Sequence, residues 1–424
     1  MNGGGKITKQ ERSWIMYDWA NSVYATIMMA AVYPTYFAGI AGETGDKWWG
    51  WATSAAMLLM AVIAPVVGAF ADYKGYKKKI FAGFLAVGLF FTLFCAFTDN
   101  WKLMLISYAL SNVGFSGSGL VYDSFLTDVT EAERMDKISG MGYAFGYIGG
   151  STIPFLMSIA LIMFGKNFGI DGAMAVKISL VITVLWWGLF TIPFLKNIHQ
   201  RHYIPKPEKG ILKETFVSIG KTFIKIINYK SVLFFIIAYF FYIDGVGTII
   251  HMSTVYGAVL GLDTTLMILA LLVTQIVAFP CAIWFSSLSK KFGSLKMLVS
   301  AVAIYMAICI VGFIMGFGLE ENWFGIGTGT VLFWVLAVMV GTVQGGIQAI
   351  SRSHFAKLVP PENSGEFFGF FDILGKFASF MGPALYAFTK DLTGRSSLSI
   401  LSIVLLFAIA LLIFIIKHKT LKTN

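Results

Sequence analysis

Asp244 lies within the stretch FFYIDGVGTIIH, Phe240–His251, inside an apolar run from Val232 to Tyr256. An ionisable group at bilayer depth costs roughly 2.5–3.5 kcal/mol on insertion scales, so its presence there needs a reason, and the usual reason is function. At a rise of ~1.5 Å per residue, Asp244 falls near the middle of the run. His251 is one heptad further on and shares its helix face. A carboxylate and an imidazole in such a place can both exchange a proton as their surroundings change, which is the chemistry of a proton relay. The plainer alternative for His251 is a histidine satisfied by helix packing. Gly245 and Gly247 thin the helix beside the acid and permit local unwinding or close approach.

Other polar residues fall in apolar runs. Asp18, Asn21 and Tyr24 are spaced i, i+3, i+6 and lie roughly on one helix face. Asp18 is also near the start of its run, so it either lines a cavity or caps and snorkels. Asp372 and Lys376 form an i, i+4 pair with the acid first, the favourable order. They either neutralise each other or form a switch in which Lys376 leaves Asp372 to hold a solute carboxylate. Gln344 and Gln348, again i, i+4, and Asn112 either bind solute or hydrogen-bond between helices. There is no H-E-x-x-H, G-x-S-x-G, P-loop or paired metal-ligand spacing, which argues against an intramembrane enzyme. Cys95, Cys281 and Cys309 all fall in apolar runs, so neither a disulfide framework nor a metal cluster is implied. No cofactor is implied either.

The elements that must position these groups are membrane helices. The 424 residues are 57% apolar and only 13% charged, about half the charge of a soluble domain. The apolar runs predict an all-α polytopic fold with twelve spans: 14–40, 48–71, 80–98, 102–126, 139–164, 174–195, 231–256, 264–288, 295–318, 328–350, 366–389 and 396–416. The polar start ending in Arg12, followed by a helix carrying Asp18, does not read as a cleavable signal. With twelve spans, most of the 32 Lys and Arg fall on one side, among them Lys74, Lys77, Lys78, Lys79, Lys290, Lys291 and the basic residues of 196–230. That bias places both termini in the cytoplasm. The net charge of +10 therefore reports orientation and headgroup contact rather than nucleic-acid binding. Trp48, Trp49, Trp51, Trp101 and Trp323 fall at the expected outer interface, as an aromatic belt would.

The polar interruption at 196–230 divides the chain into an N-terminal bundle (1–196), a central loop (197–230) and a C-terminal bundle (231–424). Ile211–Ile227 reads as an amphipathic helix on the membrane surface. The halves repeat: Ser124, Glu133, Gly140, Gly146 and Pro154 meet Ser353, Glu362, Gly369, Gly375 and Pro383 at a constant offset. The loop GAFADYKGYKKK (Gly68–Lys79) after the second span repeats as SSLSKKFGSLK (Ser286–Lys296) after the eighth. Two pseudo-symmetric six-helix bundles from a duplicated unit are the signature of secondary transporters, which rock their halves about a midplane site.

The first of those loops resembles the signature of the major facilitator superfamily, G-x-x-x-D-(R/K)-x-G-(R/K)-(R/K). Gly68, Asp72, Gly75, Lys77 and Lys78 fill its positions; Tyr73 stands where a base is expected, with Lys74 one place later. Gly68 lets helices approach closely, Gly75 permits a tight turn, and Asp72 ends a helix, where a carboxylate needs a partner. The resemblance implies a cytoplasmic gate latch. Tyr122 and Asp123, at the end of the fourth span, and Arg352, at the start of a cytoplasmic loop, are expected to belong to that gate. In the second copy the acid is lost and Ser289 stands near its place, which puts a latch there in doubt.

YDWANSVYAT (Tyr17–Thr26), YDSFLTDVTEAER leading into GYAFGYIGG, FYIDGVGTII and SRSHFAKLVPPENSGEFFGFFDILGKFASFMGP resemble the vacuole-effluxer-like branch of this superfamily, over about Trp14–Pro383. This branch is related to fungal autophagy-linked vacuolar amino-acid effluxers. The resemblance implies secondary transport and, for the fungal members, export of amino acids; with the proton chemistry read from Asp244 and His251, the expected function is proton-coupled transport of a small polar solute, an amino acid or related metabolite, by alternating access. Alternatives are a different solute class, such as a drug or lipid-like molecule, or a channel or transport-derived sensor. The expected setting is the plasma (inner) membrane. The expected partners are solute, proton and bilayer, without nucleic acid, and the expected state is a monomer.

Overall fold

The computed structural model describes residues 6–206, 224, 226–377 and 381–421, apart from the side chains of Glu43, Thr44, Asp46, Lys47, Thr264, Ile268, Lys376 and Phe377. Every regular element among them is a helix; one isolated β-bridge joins Tyr73 to Ile204. The chain divides into two compact units. The first holds Met1–Phe223 together with Val359–Ile373, and the second holds Ile224–Leu358 together with Leu374–Asn424.

In the first unit the spans are α1 (Lys9–Gly42), α2 (Trp48–Asp72), α3 (Lys77–Cys95), α4 (Trp101–Val129), α5 (Ala132–Phe168) and α6 (Gly172–Asn197). Local sequence sets their starts. Thr8 and Glu11 form a reciprocal capping box on α1, Asn100 accepts from the amides of Lys102 and Leu103, and Asp171 accepts from that of Met174. Two π-helical turns, Ala25–Ala30 in α1 and Gly146–Thr152 in α5, widen the spans locally. Small residues in the second turn bring α5 onto α1 at backbone distance: a Cβ on Gly149 would fall 1.9 Å from Trp19 Cε3, and one on Gly150 2.4 Å from Ser22 Cβ. Trp14, Tyr17, Tyr24, Phe81, Tyr122, Trp187 and Phe194 fill the interior.

In the second unit the spans are α7 (Lys230–Val259), α8 (Thr265–Phe292), α9 (Ser294–Glu320) and α10 (Ile326–Leu358), with a last span α13 (Ser396–Ile416). Between these, the eleventh expected span is represented by α11 (Ser364–Phe377), which starts in the first unit, and α12 (Met381–Thr393). Eleven helices among the described residues are thus long and apolar enough to cross a membrane; residues 378–380, part of the eleventh expected span, lie outside the described residues. The amphipathic helix expected at 211–227 falls almost wholly outside the described residues.

The duplication is visible in detail. Tyr17 of α1 donates to Ser118 of α4 at 3.0 Å, and Tyr242 of α7 shares a hydrogen bond with Ser351 of α10 at 2.6 Å. The turn after α2 passes through Gly75 at φ +78° and the turn after α8 through Gly293 at φ +88°, a backbone region that favours glycine. Val62, Phe90 and Leu189 on the first unit, and Trp284, Val331 and Ile415 on the second, are all more than half exposed. Such an apolar surface belongs against lipid tails.

Candidate functional site

Two clusters stand out, one in each unit. In the first unit, the C-terminal end of α2 meets the N-terminal end of α11. Asp72 is fully buried. Its Oδ1 accepts the Gly365 N–H at 2.8 Å and its Oδ2 the Glu366 N–H at 2.9 Å. The first amides of a helix have no partner within the helix and carry the positive end of its dipole, so a carboxylate is favoured there. Glycines make the approach possible: a Cβ on Gly68 would lie 2.1 Å from the Gly365 carbonyl oxygen, and one on Gly369 2.6 Å from that of Ala64.

Lys77, the first residue of α3, is also excluded from solvent. Its Nζ donates to Asp128 Oδ2 at 2.8 Å, Ser364 Oγ at 2.9 Å and the Ser124 carbonyl at 3.3 Å. The lysine thereby joins the ends of α3, α4 and α11. Asp128 Oδ1 faces the other way and accepts the amides of Arg201 at 2.8 Å and His202 at 2.7 Å. The His202 ring Nδ1 stands 3.4 Å from the same oxygen. Its imidazole is held above the ordinary histidine value, chiefly by Asp128.

Of the residues expected to form the gate, Gly68, Asp72, Gly75 and Lys77 come together here. Lys78 is half-buried beside them and Asp123 half-buried at the end of α4. Tyr122 stacks on Trp14 with ring centroids 4.5 Å apart, and its carbonyl accepts the Trp14 indole N–H at 3.1 Å. Arg352 is buried in the second unit. Asp128 and the linker residues Gln200–Ile204 had no signal of their own: the acid sits in a stretch notable for family resemblance, and the linker reads as a plain basic loop.

In the second unit, Asp244 is buried and its Oδ2 accepts the Gly382 N–H at 2.9 Å, at the start of α12. Pro383 follows directly and has no N–H of its own to continue the helical ladder. Asp244 thus serves a backbone donor beside a proline at the start of α12. The pair Gly382–Pro383 was the available signal. Gly382 also admits the Thr248 side chain, since a Cβ there would lie 1.9 Å from Thr248 Oγ1.

The remaining candidates are dispersed. Asp18 and Asn21 are buried near the α5 contact, and Tyr24 OH lies 2.6 Å from Ser111 Oγ, one residue before buried Asn112. His251 is exposed whereas Asp244 is buried. Gln344 lines a cavity of about 100 Å³ together with Tyr256, Thr274, Gln275 and a mostly aliphatic wall that includes Ile249, Leu271, Ile308 and Phe333. Gln348 is half-buried on the same helix and Asp372 half-buried in α11. The side chain of Lys376 lies outside the described residues.

The helical arrangement matches the crystal structure of the major facilitator superfamily transporter FucP in the outward conformation, with a TM-score of 0.65 over 96% of this chain and 98% of that one, at 14% identity. The chain therefore has the major facilitator fold and is a multi-pass integral membrane protein. The model of the family described as vacuole effluxer Atg22 like matches residues 51–421. An uncharacterized MFS-type transporter of Bacillus subtilis (strain 168), YxiO, is 44% identical over 418 residues, covering 96% of this chain and 94% of that protein. Autophagy-related protein 22 of Coccidioides immitis (strain RS) is 23% identical over 81% of this chain and 67% of its own length. The chain belongs to the vacuole effluxer Atg22-like family, as a transporter of the major facilitator type.

Proposed function

We propose that this protein is a secondary active carrier for a small polar solute, an amino acid or related metabolite, working by alternating access with a coupled proton. The observation that carries the reading is the Asp72 carboxylate on the Gly365 and Glu366 amides. A full negative charge held on a helix start by two hydrogen bonds is strong enough to define a state and local enough to be released. Asp244, buried beside the Gly382 amide, supplies the titratable group for coupling. The names of the relatives, an effluxer family and autophagy-related proteins, support efflux from a compartment; the amino-acid class rests on the sequence resemblance. The basic residues facing one side support cytoplasmic termini in a plasma (inner) membrane.

The test is counterflow of labelled amino acids into liposomes holding the purified protein, with and without an imposed pH gradient. Saturable counterflow that the gradient accelerates is the expected result. Flux that rises linearly with concentration means a channel. A second reading has its own observation: the aliphatic wall of the α7–α10 cavity favours a solute with a large apolar body. Under that reading, drug-like amphiphiles compete with counterflow and free amino acids do not.

A further inference from the structure

The start of the central linker is built into the first unit. Gln200, three residues after α6 ends at Asn197, donates from Nε2 to the carbonyls of Ala71 at 3.1 Å and Asp72 at 3.3 Å, while its Oε1 accepts the Gly75 N–H at 2.9 Å. The Ile204 N–H reaches the same Asp72 carbonyl at 2.9 Å, and the Lys74 N–H donates to the Ile204 carbonyl at 3.2 Å, which makes the β-bridge. Between these contacts, the amides of Arg201 and His202 both donate to Asp128 Oδ1.

The last carbonyls of a helix are orphans that need donors from outside it. Here the linker supplies them for α2. The consequence lies in which residues are touched. Asp72 presents its carboxylate to the α11 amides and its carbonyl to the linker. Asp128 presents Oδ2 to Lys77 and Oδ1 to the linker. Both acids of the latch are therefore gripped from behind by one five-residue segment. Each of those contacts restricts how far the end of α2 and the end of α4 can shift while α11 stays seated.

We propose that Gln200–Ile204 is a positioning strap of the gate, holding Asp72 and Asp128 in the poses that let them and Lys77 retain the start of α11. This rests on the reading of Asp72 as a latch. It adds that the linker takes part in gating rather than merely connecting the halves. Gln200 and His202 act through the two acids and touch no solute.

Hydrogen–deuterium exchange of the full-length protein in lipid nanodiscs tests it, read at peptides covering 198–206 and 359–373. Gln200→Ala, a substitution at a half-buried polar position, is expected to speed exchange in both peptides. The factor expected in 359–373 is roughly three- to tenfold, as for loss of one or two hydrogen bonds, with no change in the peptides of α9 and α13. Gln200→Glu keeps the acceptor for Gly75 and loses both donors, and is expected to behave like the alanine variant. Asp72→Asn provides the reference for a released latch. If Gln200→Ala loosens only 198–206 while Asp72→Asn loosens 359–373, the strap is refuted and the latch stands. If neither variant alters 359–373, the latch reading falls and the strap falls with it.

Discussion

Lys77 and Asp128 form an ion pair of 2.8 Å in which neither side chain is exposed to solvent. A pair of this kind is costly to desolvate, and removing one partner leaves a buried charge uncompensated, at about 3–5 kcal/mol. The pair is completed by Ser364 Oγ on one side and by the linker amides on the other, so each ion has further polar contacts.

Lys77→Met and Asp128→Leu singly are therefore expected to lower the melting temperature of the purified protein by several degrees each. The double variant, which buries no ion, is expected to lose much less than the sum. Thermal unfolding of the four proteins at one lipid composition measures the coupling. Additive losses would mean that the pair does not act as a unit.

Asp72→Ala removes both bonds to the α11 amides. Hydrogen bonds to a charged group are worth about 1.5–3 kcal/mol each, and under the proposed latch role the loss falls on one state of the cycle. Turnover of the solute found by counterflow is expected to drop at least roughly tenfold, with half-saturation changed far less. A large shift in half-saturation at normal turnover would move Asp72 from the latch to the solute site.

His202 provides a pH dependence. Its imidazole sits 3.4 Å from Asp128 Oδ1, with Glu362 adding to the pull and Lys77 opposing it, and the net effect raises its folded-state value above 6.5. A raised value means that the stabilisation is fully present below about pH 6.5 and is lost as pH climbs through the folded-state value. The difference in melting temperature between the protein and His202→Gln is thus expected to be largest below the ordinary histidine value of about 6.5 and to shrink as the pH rises above it. A difference that grows with pH would contradict the pairing.

Asp244→Asn keeps an oxygen able to accept the Gly382 N–H and loses the ability to gain and lose a proton. The variant is expected to fold and to support counterflow while gradient-driven uptake disappears. Unchanged uptake with an unchanged pH profile would remove Asp244 from coupling.

The spans and the cluster at the end of α2 were legible because each is written locally. Hydropathy marks a membrane helix one window at a time, and Gly68, Asp72, Gly75 and Lys77 lie within ten residues of one another. Asp128 was not legible, since its meaning depends on Lys77 and on amides from Arg201 and His202, all distant in sequence. Gln200 looks like any polar linker residue until the end of α2 is placed beside it. The seven-residue spacing of Asp244 and His251 gives angular position on a helix but not depth of packing. One is buried and the other exposed. GYAFGYIGG entered the sequence reading through its resemblance to the family; that its Gly149 and Gly150 meet Trp19 and Ser22 came only from the fold.

Tandem duplication copies every helix and every turn but creates a single join. The Gln200–Ile204 segment belongs to that join and lies against the turn after α2. The turn after α8 repeats the bend at Gly293, and there Ser289 Oγ donates to the Ser286 carbonyl at 2.7 Å. Two copies of one bend are thus set in different surroundings by chain connectivity alone.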